Sequence, residues 1–127
     1  MDLKGKKILI GISGGIAAYK ICSLVRLFIK AGAEVKVIMT PAAVSFASPV
    51  TLSALSRNEV VINMLPDQSE IMKSERVDTK TWHVNYGLWA DIFIIAPATC
   101  NTIGKVFAGI SDNFLLSTLL ACRCPVL

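Results

Sequence analysis

Residues 8 to 20 run Ile-Leu-Ile-Gly-Ile-Ser-Gly-Gly-Ile-Ala-Ala-Tyr-Lys, an apolar stretch that breaks into a Ser/Gly turn and then takes up a helical pattern. A short, continuous apolar run of this kind predicts a strand buried on both faces, and such strands belong to parallel sheets covered by helices. The turn has the composition of a phosphate site. Glycines let the backbone approach an anion, and the unpaired N–H groups at the start of a helix face it. The glycine order excludes two common versions of that site. A dinucleotide turn reads G-x-G-x-x-G and is followed by an acidic residue closing the next strand. Here the order is Gly11-x-Ser13-Gly14-Gly15, and the next strand, Glu34 to Met39, ends at Thr40 and Pro41. The pattern G-x-x-x-x-G-K-[ST] is also missing. A mononucleotide-type phosphate turn with a serine hydroxyl remains, and a tight turn holding no ligand fits the same residues.

The rest of the chain repeats the strand–helix theme. Lys6 to Ile12 is a predicted strand, Gly15 to Ala31 a helix, and Gly32 its C-terminal cap. Glu34 to Met39 forms a second strand. Pro41 to Ala47 and Pro49 to Ser56 are short helical stretches opened by proline, and Val60 to Ile62 is a short strand. Leu65 to Lys80 is polar and aperiodic, which predicts a long loop. Trp82 to Trp89 reads as helix and Ile92 to Ala96 as a third buried strand. Ile103 to Ala108 and Phe114 to Ala121 are predicted helices, the latter capped by Asp112-Asn113, and Pro125 to Leu127 opens another strand. Because that strand has only begun, a strand–helix–strand domain is expected to continue past Leu127.

One domain accommodates 127 residues. With 54% hydrophobic and 17% charged residues, the chain is apolar for a monomer. No run approaches the roughly 18 apolar residues of a membrane span, so no membrane partner is expected and an oligomer explains the composition. The net charge of +4 is scattered, without the basic face that nucleic-acid binding needs. Of the four cysteines, Cys22 is expected inside a buried helix, and none has C-x-x-C or zinc spacing; Cys122-x-Cys124 would need metal ligands from elsewhere. No metal site is expected, and a reduced, cytoplasmic protein is.

Three strand ends carry small polar residues: Ser13-Gly14-Gly15, Thr40-Pro41-Ala42, and Pro97-Ala98-Thr99-Cys100-Asn101-Thr102. Ligands of open parallel sheets bind outside the carboxyl ends of the strands, where all three loops should meet. The hydroxyls of Ser13, Thr40, Thr99 and Thr102 and the Asn101 amide could surround a phosphate or an amide-edged ring. For any one of these residues turn and cap chemistry is the better account; three such loops on one edge make a site an equal reading. His83 is the only imidazole and its position hints at acid–base work on the same edge.

Several segments together carry a family resemblance: Gly11-Ile-Ser-Gly-Gly-Ile-Ala-Ala-Tyr-Lys20, Thr40-Pro-Ala-Ala43, Thr51-Leu-Ser-Ala-Leu55, His83 ahead of Trp89-Ala-Asp91, Ala96-Pro-Ala-Thr-Cys-Asn-Thr-Ile-Gly-Lys105, and Gly109-Ile-Ser-Asp-Asn113. With them the chain resembles the homo-oligomeric flavin-containing cysteine decarboxylases. Within that family it looks like the phosphopantothenoylcysteine decarboxylase branch, in which a phosphopantothenoylcysteine synthetase domain follows. The resemblance implies a three-layer α/β/α, Rossmann-like (flavodoxin-like) flavoprotein fold and FMN as cofactor. It places Ser13, Gly14 and Gly15 at the FMN phosphate, Thr40 beside it, and Ala98, Thr99, Cys100, Asn101 and Thr102 along the flavin. It implies a trimer or a dodecamer with the flavin between subunits, and His83 as the active-site residue that positions or deprotonates 4′-phosphopantothenoylcysteine. The implied reaction oxidises the cysteine moiety, releases carbon dioxide to give an enethiol, and returns the electrons to yield 4′-phosphopantetheine. Thr99-Cys100 departs mildly from the Ser-Ala or Thr-Ala of relatives. The family's substrate-carboxylate motif and flap cysteine would lie past Leu127, so the 127 residues alone are expected to hold FMN weakly and not to turn over.

Overall fold

The computed structural model describes residues 2–63 and 82–127. The polar segment expected as a loop, 65–80, lies outside the described residues. Four strands form one parallel sheet: β1 (Lys7–Ile12), β2 (Glu34–Met39), β3 (Val60–Val61) and β4 (Ile92–Ile95), in the order β3-β2-β1-β4. β1 is central, with Ile10 opposite Val37 on one side and Ile94 on the other. Val126 bridges Phe93 in parallel, so 125–127 runs along the outer edge of β4, as expected.

Strand alternation divides the core into two layers. Ile8, Ile10, Ile12, Val35, Val37 and Met39 pack on one face with Val25 of α1 (Ile21–Lys30) and Leu52 of α2 (Pro49–Ser56). Leu9, Ile38, Val61 and Phe93 pack on the other with Tyr86 of α3 (Trp82–Trp89) and Phe114, Leu115 and Leu116 of α5 (Phe114–Ala121). Helices cover both faces, giving the three-layer Rossmann-like fold. Each fully buried side chain of this size contributes roughly 2 kcal/mol.

Gly11 belongs to this packing more than to the turn. A Cβ there would stand 2.8 Å from Leu115 Cδ1 and 2.9 Å from Phe93 Cε2, so the absence of a side chain lets α5 close onto the sheet.

Three boundaries differ from the sequence reading. The helix expected from Gly15 to Ala31 is a 3₁₀ turn, Ile16–Lys20, followed by α1. Gly15 is extended and offers no side chain to cap the first N–H groups, and the chain enters through the tighter i→i+3 turn common at helix starts. A full α-helix N-terminus therefore does not abut the glycine turn. Likewise Pro41–Ser45 is a 3₁₀ turn. The helix expected from Ile103 starts earlier, as α4 (Cys100–Ala108), because Thr99 Oγ1 accepts the Thr102 N–H at 3.2 Å and caps it. Cys22 is half-buried against the first core layer, not fully inside it. Among the described residues no helix is long and apolar enough to cross a membrane.

Candidate functional site

The three strand-end loops converge, as the topology requires, at the carboxyl edge of the sheet. They enclose a cavity of about 370 Å³, within the range of small-molecule sites. Gly14 comes from the turn after β1, and Thr40, Pro41 and Ala42 from the turn after β2. Thr99, Asn101, Thr102 and Lys105 come from the start of α4, and Asp112 and Asn113 from the α4–α5 connection.

Of the residues expected at a ligand, Gly14, Thr40, Thr99, Asn101 and Thr102 line this cavity. Ser13, Gly15, Ala98, Cys100 and His83 are not among its lining residues. Ser13 is 1% exposed and ties two loops together. Its hydroxyl donates to the Pro97 carbonyl and accepts the Thr99 N–H at 3.0 Å. The residue expected to face a phosphate thus positions Thr99. Gly15 packs over Pro97 and Thr99, while Ala98 and Cys100 are exposed beside the cavity loop.

Thr40 is the opposite case. It is 7% exposed, and its Oγ1 is buried without a hydrogen-bond partner. An unmet buried hydroxyl costs roughly 1–3 kcal/mol, and among the described residues nothing offsets that cost at Thr40. Gly14 completes that corner: a Cβ on it would lie 2.7 Å from Ala42 Cβ and 3.1 Å from the Ala42 carbonyl carbon. Any side chain would push the first two loops apart.

Lys105 and Asn113 fall outside the residues expected at a ligand. Asn101 and Lys105 stand four apart and Thr102 and Lys105 three apart, so once α4 starts at Cys100 they share a helix face. Lys105 Nζ meets Asp112 Oδ2 at 2.7 Å, which closes the connection on itself and leaves the pair with no net charge. Asn113 Oδ1 accepts the Leu116 N–H at 2.9 Å and caps α5, as expected. The lining thus combines threonine hydroxyls and asparagine amides with the apolar Pro41 and Ala42 and the Lys105–Asp112 pair.

His83 lies on α3, half-buried, with its ring edge-on to Phe114 at 6.4 Å. Phe114 follows the cavity residue Asn113 in sequence, and the His83 ring is not part of the cavity lining. α3 is held there by Tyr86, edge-on to Phe114 at 5.7 Å, and by the Lys36 ammonium, 4.8 Å from the Tyr86 ring and 4.6 Å from Trp89. Burial, with the Glu59 carboxylate adding to it, pushes the Tyr86 phenol up to about 12, so Tyr86 stays protonated and serves packing.

The arrangement has close counterparts. The CoaBC protein of Bacillus subtilis (strain 168), a coenzyme A biosynthesis bifunctional protein, is 45% identical over 124 residues, covering 98% of this chain. Its counterpart in Haemophilus influenzae (strain ATCC 51907 / DSM 11121 / KW20 / Rd) is 42% identical over 126 residues, covering 99%. The chain spans only 29% and 30% of the length of those two proteins. Among solved structures, the FMN-dependent cysteine decarboxylase SpaF superposes with a TM-score of 0.82 at 27% identity, covering 98% of this chain and 67% of SpaF. A PPC decarboxylase mutant complexed with pantothenoylaminoethenethiol gives 0.75 at 27% identity, covering 97% of this chain and 65% of that one. The family described as Flavoprotein matches residues 1–126, and with the cavity at the sheet's carboxyl edge the chain belongs to the flavoprotein family.

Proposed function

We propose that this chain is the FMN-binding domain, residues 1–127, of a phosphopantothenoylcysteine decarboxylase, which converts 4′-phosphopantothenoylcysteine to 4′-phosphopantetheine in coenzyme A biosynthesis. The observation that carries the flavin part is the buried, unpartnered Thr40 hydroxyl beside a cavity corner that only glycine at position 14 leaves open. The substrate is taken from the relatives named above. FMN, when bound, supplies a two-electron oxidation of the cysteine moiety and returns the electrons after carbon dioxide has left.

The residues fit such a group. Gly14 gives a phosphate-bearing ligand backbone access, and Thr40 offers a hydroxyl whose hydrogen-bonding capacity is free. Asn101 and Thr102 present amide and hydroxyl groups to an edge made of alternating donors and acceptors. Ser13 holds Thr99 in place. His83, backed by Phe114, would orient the substrate or take its proton. With this reading go a cytoplasmic location, a fused phosphopantothenoylcysteine synthetase domain and a homo-oligomer, trimer or dodecamer. The oligomer is supported by apolar side chains left in solvent, Phe107 at 95% and Ile16 at 80% exposure.

The deciding experiment is an absorption spectrum of the purified protein with the released chromophore identified by mass. In the full-length protein the two flavin bands with FMN released are expected. A full-length protein that is colourless and takes up no added FMN would sink the flavin reading. In the full-length protein His83→Asn should keep FMN and lose decarboxylation by about 100-fold or more; unchanged turnover would remove His83 from the site. The SpaF likeness favours one second reading, a cysteine decarboxylase of another substrate, which substrate trials separate.

A further inference from the structure

The second core layer ends in a pair of thiols that the flavin site does not use. Cys122 closes α5, Arg123 follows, and Cys124 precedes the edge segment 125–127. The two sulfurs are 3.0 Å apart. That is nearer than an ordinary contact between sulfurs, yet well short of a covalent S–S bond of about 2.05 Å. Both thiols are free and half-buried, packed at the margin of the cluster around Phe93 and Leu115.

The backbone is anchored on both sides of them. The Cys122 N–H donates to the Leu119 carbonyl at 3.3 Å, and the Phe93 N–H donates to the Pro125 carbonyl at 3.0 Å. Gly87 of α3 brings its backbone against Ala121 and Cys122, where an added Cβ would lie 3.1 Å from the Cys122 nitrogen. The thiols therefore do not meet by chance rotation of a loose tail; the fold holds them together. Among the described residues no group of three or more metal-ligating side chains includes this pair. Two converging sulfurs without further ligands are suited to bonding each other. Cys22 packs on the opposite face of the sheet, and Cys100 stands exposed at the start of α4.

We propose that Cys122 and Cys124 are a modification site, forming a reversible intramolecular disulfide by exchange with a small-molecule disulfide. One sulfur, as thiolate, attacks the reagent and expels its first thiol. The other then attacks the mixed disulfide and expels the second. Two cysteine S–H bonds and one reagent S–S bond become one Cys122–Cys124 bond and two reagent thiols, so the protein pair gives up two electrons and the reagent takes them. Burial, then the hydrogen bond with Cys122, push the Cys124 thiol up to about 11. Its thiolate is scarce at neutral pH, so the bond forms under sustained oxidation and not on brief exposure. A loop closed over one intervening residue removes little chain entropy, which makes the bond a reversible mark more than a stabilising staple. The proposal stands independently of the flavin reading.

The test uses the folded, purified chain with excess oxidised glutathione, iodoacetamide to block remaining thiols, and tryptic mass mapping. Arg123 separates the two cysteines, so cleavage after it leaves the flanking peptides joined only if the disulfide is present. The expected result is that joined pair, abolished by dithiothreitol, with Cys22 and Cys100 outside it. C122S and C124S should each lose the joined species and carry glutathione on the remaining thiol of the pair. Should either variant misfold by circular dichroism, the wild-type map alone decides. Alkylation of both Cys122 and Cys124, separate glutathione adducts on each, or linkage to another cysteine would overturn the proposal.

Discussion

Two hydroxyls stand at neighbouring strand ends, both buried, and their situations are opposite. Ser13 after β1 spends its hydroxyl on the protein, joining the Pro97 carbonyl and the Thr99 N–H. Thr40 after β2 has no hydrogen-bond partner for its hydroxyl among the described residues. The difference separates two jobs that composition alone cannot. One loop residue ties two loops together, and the other is the one the proposed function assigns to a ligand. Buried polar groups in folded proteins are nearly always paired, so the unpaired one is the more informative about a ligand.

The largest break in this comparison comes from removing the tie between loops. Ser13→Ala takes the acceptor from the Thr99 N–H, while the Pro97 carbonyl keeps the Ser13 backbone N–H at 3.3 Å, and the lost bridge should cost about 2 kcal/mol. Urea unfolding of the ligand-free protein checks it, with a lower midpoint expected at unchanged slope. FMN binding should weaken as a consequence, through a displaced Thr99. A Ser13→Ala protein as stable as the parent but unable to bind FMN would reverse the assignment and make Ser13 a direct ligand.

A somewhat smaller effect is expected where the two loops touch. Gly14→Ala puts a methyl 2.7 Å from Ala42 Cβ and 3.1 Å from a backbone carbon that cannot rotate away. The loops must part by about 0.7 Å to reach ordinary contact, at about 1–1.5 kcal/mol, and the corner beside Thr40 fills. Thermal unfolding and FMN titration should therefore both shift. If only stability moved, the corner would be packing and nothing more.

Much of this architecture is legible in the sequence, and the reasons are local. β1 is announced by its apolar run, and the topology of parallel strands places the loops after β1, β2 and β4 on one edge. α5 is announced by Asn113 ahead of an apolar stretch. What the sequence conceals depends on distant partners or on helix phase. The direction of the Ser13 hydroxyl is set by atoms 84 and 86 residues away. Lys105 escapes notice when α4 is started at Ile103, because only the true start at Cys100, fixed by the Thr99 cap, makes Thr102 and Lys105 neighbours on one face. The 3₁₀ entry at Ile16–Lys20 is hidden in residues that carry a helical pattern but lack a capping side chain. In a strand Cys122 and Cys124 would share a face but stand about 6.6 Å apart; in a turn after a helix their sulfurs converge to 3.0 Å.

The smallest stability change is expected at Thr40, and it is the sharpest measurement. Thr40→Val keeps the branched shape and removes a hydroxyl that bonds to nothing, so the ligand-free protein should be within about 0.5 kcal/mol of the parent or slightly more stable. With ligand the sign differs. A valine cannot supply the hydrogen bond, and a partner left unpaired on the ligand should cost FMN about tenfold in affinity, or about 1.4 kcal/mol. The pairing of a flat denaturation result with a shifted FMN titration distinguishes a ligand-facing hydroxyl from a structural one, and Thr40→Ser should restore the binding. If Thr40→Val destabilised the empty protein by about 2 kcal/mol, its hydroxyl would be serving the fold as Ser13 does, and the contrast between the two strand ends would collapse.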